Sequence, residues 1–257
     1  MNVLGALVGR RGVRGTAESF WLARREIREA WPSYSLSGLF VVLVGFFAVV
    51  SLSGVIELEG FGSEGRRMEG FYNAFFSDYL FLVVCAYLGI NVISGNFTLA
   101  WCDAASSRLL FSRSLPVGAE ILVGSRALCM LFALAVGAAA FFLPAFSLVG
   151  LGVFGGASYL WFCGVWVGYG LFASGLWLHF ELVTGARVVS SGIVVSLMAV
   201  VAFLEWTLDL SLVERTAHVA REGYGAFAAV FAILAGGAFF ALLCRTTTRR
   251  LEKRELY

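Results

Sequence analysis

Lysine occurs once in this chain of 257 residues, histidine twice and proline three times, and only 14% of the residues are charged. Each shortage excludes a chemistry. With Lys253 as the sole lysine, no G-x-x-x-x-G-K-[ST] phosphate loop can be written. His179 and His218 stand in separate polar stretches, and no H-E-x-x-H zinc motif is present. The five cysteines (Cys85, Cys102, Cys129, Cys163 and Cys244) lie in or beside apolar runs without metal-ligand spacing, where they read as small packing residues. Asp78, Asp103 and Asp209 are dispersed, unlike the clustered carboxylates of metal-dependent lipid transferases. Ser174-Gly175 lacks the rest of a G-x-S-x-G elbow. No catalytic constellation remains, so the chain is expected to be neither an enzyme nor the holder of a cofactor or metal. A net charge of +2 supplies no field that would draw nucleic acid.

What the chain has is apolar length. Hydrophobic residues make up 60% of it and its mean hydropathy is +0.85, far from the soluble globular class. The apolar runs are continuous rather than alternating, which points to α-helical spans and away from a barrel. The expected fold class is an all-α polytopic membrane protein of one transmembrane domain (1–257), with the lipid bilayer as its solvent.

Residues 1–16 are rich in glycine and arginine and are expected to be mobile. Phe20, Ala23, Ile27, Ala30 and Trp31 then recur at helical spacing among Arg24, Arg25, Arg28 and Glu29. This predicts an amphipathic helix over 17–31, ended by Pro32 and suited to the headgroup region of a membrane. Six spans follow, at about 36–56, 71–94, 127–147, 156–178, 188–208 and 223–244, each near the ~20 residues a bilayer requires. Pro144 and the glycines Gly150, Gly152, Gly155 and Gly156 place a turn near 146–156. His179, Glu181 and Arg187 form a short polar connection after the fourth span. Gly164 and Gly168, and Ala228, Ala232 and Gly236, are small residues four apart, as close helix packing in membranes uses.

Two features stand out against this background. Asp78 is an ionisable residue within the second span, a candidate intramembrane polar site. Glu205, Trp206 and Asp209 open a mixed acidic and apolar stretch, 205–222, which reads as an element dipping into the far leaflet. Of the nineteen Lys and Arg residues, fifteen fall on the side that holds both termini and the 96–126 interval. The positive-inside rule therefore makes both termini and that interval cytoplasmic.

The interval itself carries a pattern. Leu109 to Leu128 reads LLFSRSLPVGAEILVGSRAL. It has a leucine-rich run (Leu109, Leu110), Ser114 to Val117 as Ser-Leu-Pro-Val, the acidic Glu120, apolar Ile121 to Val123, and Arg126 opening the third span. With the amphipathic entry helix and six spans, this resembles the permease subunit of type-2 ABC transporters. The likeness covers the layout of nearly the whole chain and is sharp over about twenty residues. Asn96–Phe97 departs from it, since many relatives have an acidic entry there. The resemblance implies a multi-pass permease in a bacterial plasma membrane, paired with a second permease copy (itself or a close paralogue) and with two copies of a separate ATPase that binds ATP and Mg. It further implies an ATPase-coupling role for Arg108, Leu109, Leu110, Phe111, Arg113, Pro116, Glu120 and Arg126, and an outer gate at Glu205, Trp206 and Asp209. A non-transporting membrane scaffold or sensor subunit, and a secondary transporter, are the alternatives that the residues leave open.

Overall fold

The computed structural model describes residues 3–29, 31–32, 35, 39–45, 78–89, 118–146, 154–183, 203 and 211–255. Among these every regular element is helical. Besides a helical stretch over 39–45, the helices are α1 (Val3–Glu29), α2 (Asp78–Tyr87), α3 (Ala119–Ala145), α4 (Ala157–Val183), α5 (Leu212–Arg221) and α6 (Gly225–Glu255). Three of the described helices, over Ala119–Pro144, Ala157–Val183 and Gly225–Lys253, are long and apolar enough to cross a membrane. At 1.5 Å per residue, 27 residues rise about 40 Å, more than the ~30 Å hydrocarbon core. The protein is therefore membrane-embedded.

Its outer surface agrees. Phe227, Phe231 and Leu234 on α6 are 73%, 64% and 66% exposed, an apolar face that water would penalise and lipid would not. Inside, the association of helices cannot rest on expelling water and depends on close contact. α3 and α4 are antiparallel neighbours: the Tyr159 hydroxyl donates to the Phe142 carbonyl at 2.8 Å, and Gly170 meets Leu134. The turn between them uses Gly155 at φ 66°, a left-handed conformation open to glycine at little steric cost. α4 and α6 are parallel, because the facing pairs rise together: Gly164 with Ala229, Gly168 with Ala232, Gly175 with Phe240 and His179 with Thr247. A Cβ on Gly168 would stand 2.5 Å from the Ala232 carbonyl oxygen, so the small residues are what permit this approach. α2 lies in the groove of α3 and α4, with the Phe81 ring 5.3 Å from Phe141, 5.5 Å from Phe162 and 5.1 Å from Trp166.

Several helices run past the apolar stretches marked out in the sequence. α1 reaches back to Val3, through the stretch expected to be mobile; its glycines each disfavour helix by about 1 kcal/mol, but Leu, Val, Ala and Arg lie between them. α3 begins at Ala119, ahead of the apolar stretch over 127–147, α4 continues to Val183, and α6 runs on through the basic tail to Glu255. Charge ends a hydrophobic run but not a helix, since Glu and Arg are good helix formers. His179 and Glu181 accordingly sit on the last turns of α4 instead of in a connection.

Candidate functional site

The bundle has a polar tie at each end. At the end where α3 begins and α4 and α6 finish, α1 packs along the first turns of α3. Ser19 is buried there and its hydroxyl donates to the Ile121 carbonyl at 3.3 Å. A Cβ on Gly124 would lie 3.2 Å from the Ser19 Cβ, so the glycine admits α1. Ala23 is 2% exposed, and the Cys129 thiol points to its carbonyl at 3.8 Å. One turn on, Arg126 Nη1 is paired with Glu26 Oε1, joining α1 to α3. Cys129 Sγ also reaches Glu26 Oε2 at 3.6 Å, and Glu181 on α4 lies within the electrostatic reach of both Arg126 and Glu26.

α6 joins the same end through His179. Its Nδ1 is 2.8 Å from Thr247 Oγ1, and that hydroxyl donates to the Leu243 carbonyl at 2.7 Å. With the hydroxyl hydrogen so used, the imidazole carries its proton on Nδ1 and donates to Thr247. Met130, Leu178, Leu182, Phe240 and Leu251 fill the space between these polar contacts. One end of the bundle thus holds α1, α3, α4 and α6 by hydrogen bonds across an apolar filling.

At the other end stands Asp78, fully buried at the start of α2. Its Oδ1 accepts from the Ser211 hydroxyl at 3.0 Å and from the Val213 N–H at 2.8 Å. Its Oδ2 accepts from the Leu212 N–H. These donors are the first turn of α5, whose N–H groups have no partner within the helix, and a carboxylate there also meets the positive end of the helix dipole. Ser211 is the N-cap: its side chain accepts from the Glu214 N–H at 3.2 Å. Val213, Ala217 and Ala220 form the buried face of α5, packed with Phe154, Tyr159 and Phe162, and Arg221 lies over the Phe154 ring at 5.0 Å. The chemistry is that of an anchor. Three donors converge on one carboxylate.

The candidates named from sequence divide as follows. Asp78 and the 205–222 element, read separately, meet in one contact through Ser211, Leu212 and Val213. Within the 205–222 element, Leu212–Arg221 form a helix. Arg126 is turned to Glu26 of the same chain, whereas Glu120, on the first turn of α3, is exposed. Arg108, Leu109, Leu110, Phe111, Arg113 and Pro116, and Glu205, Trp206 and Asp209, lie outside the described residues. Phe20, assigned with Ala23 to one apolar stripe, is 62% exposed while Ala23 faces α3. The stripe is split because small residues suit the helix contact and large aromatics do not.

Glu26 was missed by sequence reasoning, and nothing local announces that it pairs with a residue a hundred positions away. Ser211 was also missed, although Ser211-Leu-Val-Glu214 is a capping-box spacing that marks a helix start. Comparison of the chain with protein-family models, with curated proteins and with solved structures returns no match.

Proposed function

We propose that this chain is the permease subunit of an ATP-driven exporter, with six spans, both termini in the cytoplasm and a place in a bacterial plasma membrane. It works beside a second permease copy and is driven by two copies of a separate ATPase acting on the 96–126 segment. The observation that carries the reading is mechanical: α3 runs unbroken from Ala119, directly after the Ser114 to Val117 motif, to Ala145. Force applied at 96–117 would reach the far end of the bundle along one rigid helix. α1, clamped to the first turns of α3 by Ser19 and by Glu26–Arg126, would move with it.

Two further facts support the layout. α4 and α6 are parallel, and Val183 and Ser211 lie at opposite ends of α4. A fifth span over 188–208 would join these two ends. α2 runs with α4, since Cys85 meets Gly170 and Gly89 meets Ser174; α2, α4 and α6 thus share one direction and α3 the other, as alternate members of a six-span series would. In this reading Asp78 and α5 are part of the outer mouth, and Asp78 holds α5 in place rather than carrying an ion.

The test is to identify the gene next door and, where it encodes an ATP-binding cassette protein, to co-purify the two from detergent. A complex that survives purification, and that Leu109→Asp or Leu110→Asp weakens, supports the coupling role; an unpaired carboxylate buried at such a contact costs several kcal/mol in order of magnitude. Absence of any complex, with ATP without effect on function, would favour a scaffold or sensor subunit.

A further inference from the structure

The side of α1 that faces away from α3 has an ordered charge pattern. Arg10, Arg14, Ala17, Trp21, Arg24 and Arg28 recur at spacings of 4, 3, 4, 3 and 4, which keeps them in one row along a continuous helix. The row contains no carboxylate. Ser19, Ala23 and Glu26, on the opposite side, are the residues that contact α3. Phe20 and Ile27 border the row on one flank, and Glu18 and Glu29 on the other. Trp21 is 63% and Phe20 62% exposed, and Arg24 and Arg28 are exposed as well. Arg25, beside the acidic flank, is paired with Glu29 at 2.8 Å.

Around the helix the order is therefore protein contact, apolar flank, arginine row, acidic flank. A membrane surface has the same sequence of environments with depth: hydrocarbon, phosphates, water. The helix is also held at the matching level, because Ser19 and Glu26 fix it to Ile121 and Arg126 on the first turns of the membrane-crossing α3. We propose that the Arg10–Arg28 row of α1 is a binding surface for the phosphates of anionic phospholipids, with Trp21 seated among the headgroups. Phe20 then dips toward the acyl chains, and Glu18 and Glu29 stay in water. Four arginine positions on one face, with Arg24 and Arg28 exposed, fit a layer of phosphates by charge, and an acidic membrane is preferred over a zwitterionic one. This inference rests on membrane embedding and is independent of transport or of any ATPase.

The full chain in non-ionic detergent, titrated with phosphatidylglycerol or phosphatidylcholine and read by native mass spectrometry, tests it. The expected result is a preference for phosphatidylglycerol that falls by about fivefold in each of R24Q and R28Q at low ionic strength. It disappears in R10Q/R14Q/R24Q/R28Q and persists in R245Q/R249Q, which removes cations from the tail of α6 instead. Arg24 and Arg28 are exposed, so the single variants serve even if the fourfold variant fails to fold. Wild-type preference in R24Q and R28Q overturns the proposal, as does an equal loss in R245Q/R249Q. Retained lipid preference with loss of a co-purifying acidic protein also overturns it, and assigns the row to a protein partner.

Discussion

Replacing Asp78 with alanine should release α5 from the bundle. The wild-type carboxylate is fully buried and accepts from the Ser211 hydroxyl and from the Leu212 and Val213 N–H groups. Hydrogen bonds to a charged group contribute about 1.5–3 kcal/mol each, and a buried donor left unsatisfied costs ~1–3 kcal/mol. These terms are not additive, and water entering at the end of the bundle would recover part of the loss. A net destabilisation of about 3 kcal/mol for the docked α5 is the working figure, comparable to the ~3–5 kcal/mol lost when one partner of a buried pair is removed. At 1.4 kcal/mol per tenfold, the open population rises by about two orders of magnitude. The assay is maleimide labelling of Ala217→Cys in a background lacking the native cysteines. Ala217 is 3% exposed and belongs to the apolar core that includes Phe154, Tyr159 and Phe162, so it labels only when α5 lifts. Arg215→Cys, exposed in the docked state, is the control whose rate should stay constant. Equal protection of Ala217→Cys with and without Asp78 would refute the argument, and would leave the apolar face of α5 as what holds it.

Two further predictions concern the packing and the opposite end. Gly168→Ala should lower the unfolding temperature in detergent, since overpacking against Ala232 costs ~1–3 kcal/mol, whereas Gly237→Ala, which meets nothing within 4 Å, should be neutral or stabilising by about 1 kcal/mol; equal effects at the two sites would contradict the α4–α6 contact. For Glu26 and Arg126, whose side chains are 36% and 27% exposed, a double-mutant cycle with E26Q and R126Q should give a coupling of about 1 kcal/mol. R126Q should cost more than E26Q, because Glu181 also lies near the guanidinium; a coupling of zero would leave Ser19 and Ala23 as what holds α1 to α3.

The long apolar elements were legible because their signal is local. The turn at Gly155–Gly156, the crossings by α3, α4 and α6, and the small residues at Gly164, Gly168 and Gly236 can all be read from neighbouring letters. Helix ends were less legible. Charge at Glu120, Glu181 and Arg245 marks where a run leaves hydrocarbon, but the backbone hydrogen bonds continue past it. Long-range polar ties were not legible at all. Asp78 stood out as an ionisable residue in an apolar run, yet its partner is 133 positions away, and Glu26 finds Arg126 only through the packing of Ser19 and Ala23 against Ile121 and Cys129. Such pairs depend on which helix faces which, and periodicity within one helix carries no record of that.

The proposed role of α3 as a lever can be measured as a distance. Spin labels at Glu120, exposed on the first turn of α3, and at Arg215, exposed on α5, report on the two ends of the bundle. In a complex with the proposed ATPase partner, adding ATP and Mg should shift the distance distribution between the labels. ATP without the ATPase, or the complex carrying Leu110→Asp, should leave the distribution unchanged. A distribution that is the same with and without nucleotide in the intact complex would contradict transmission through α3.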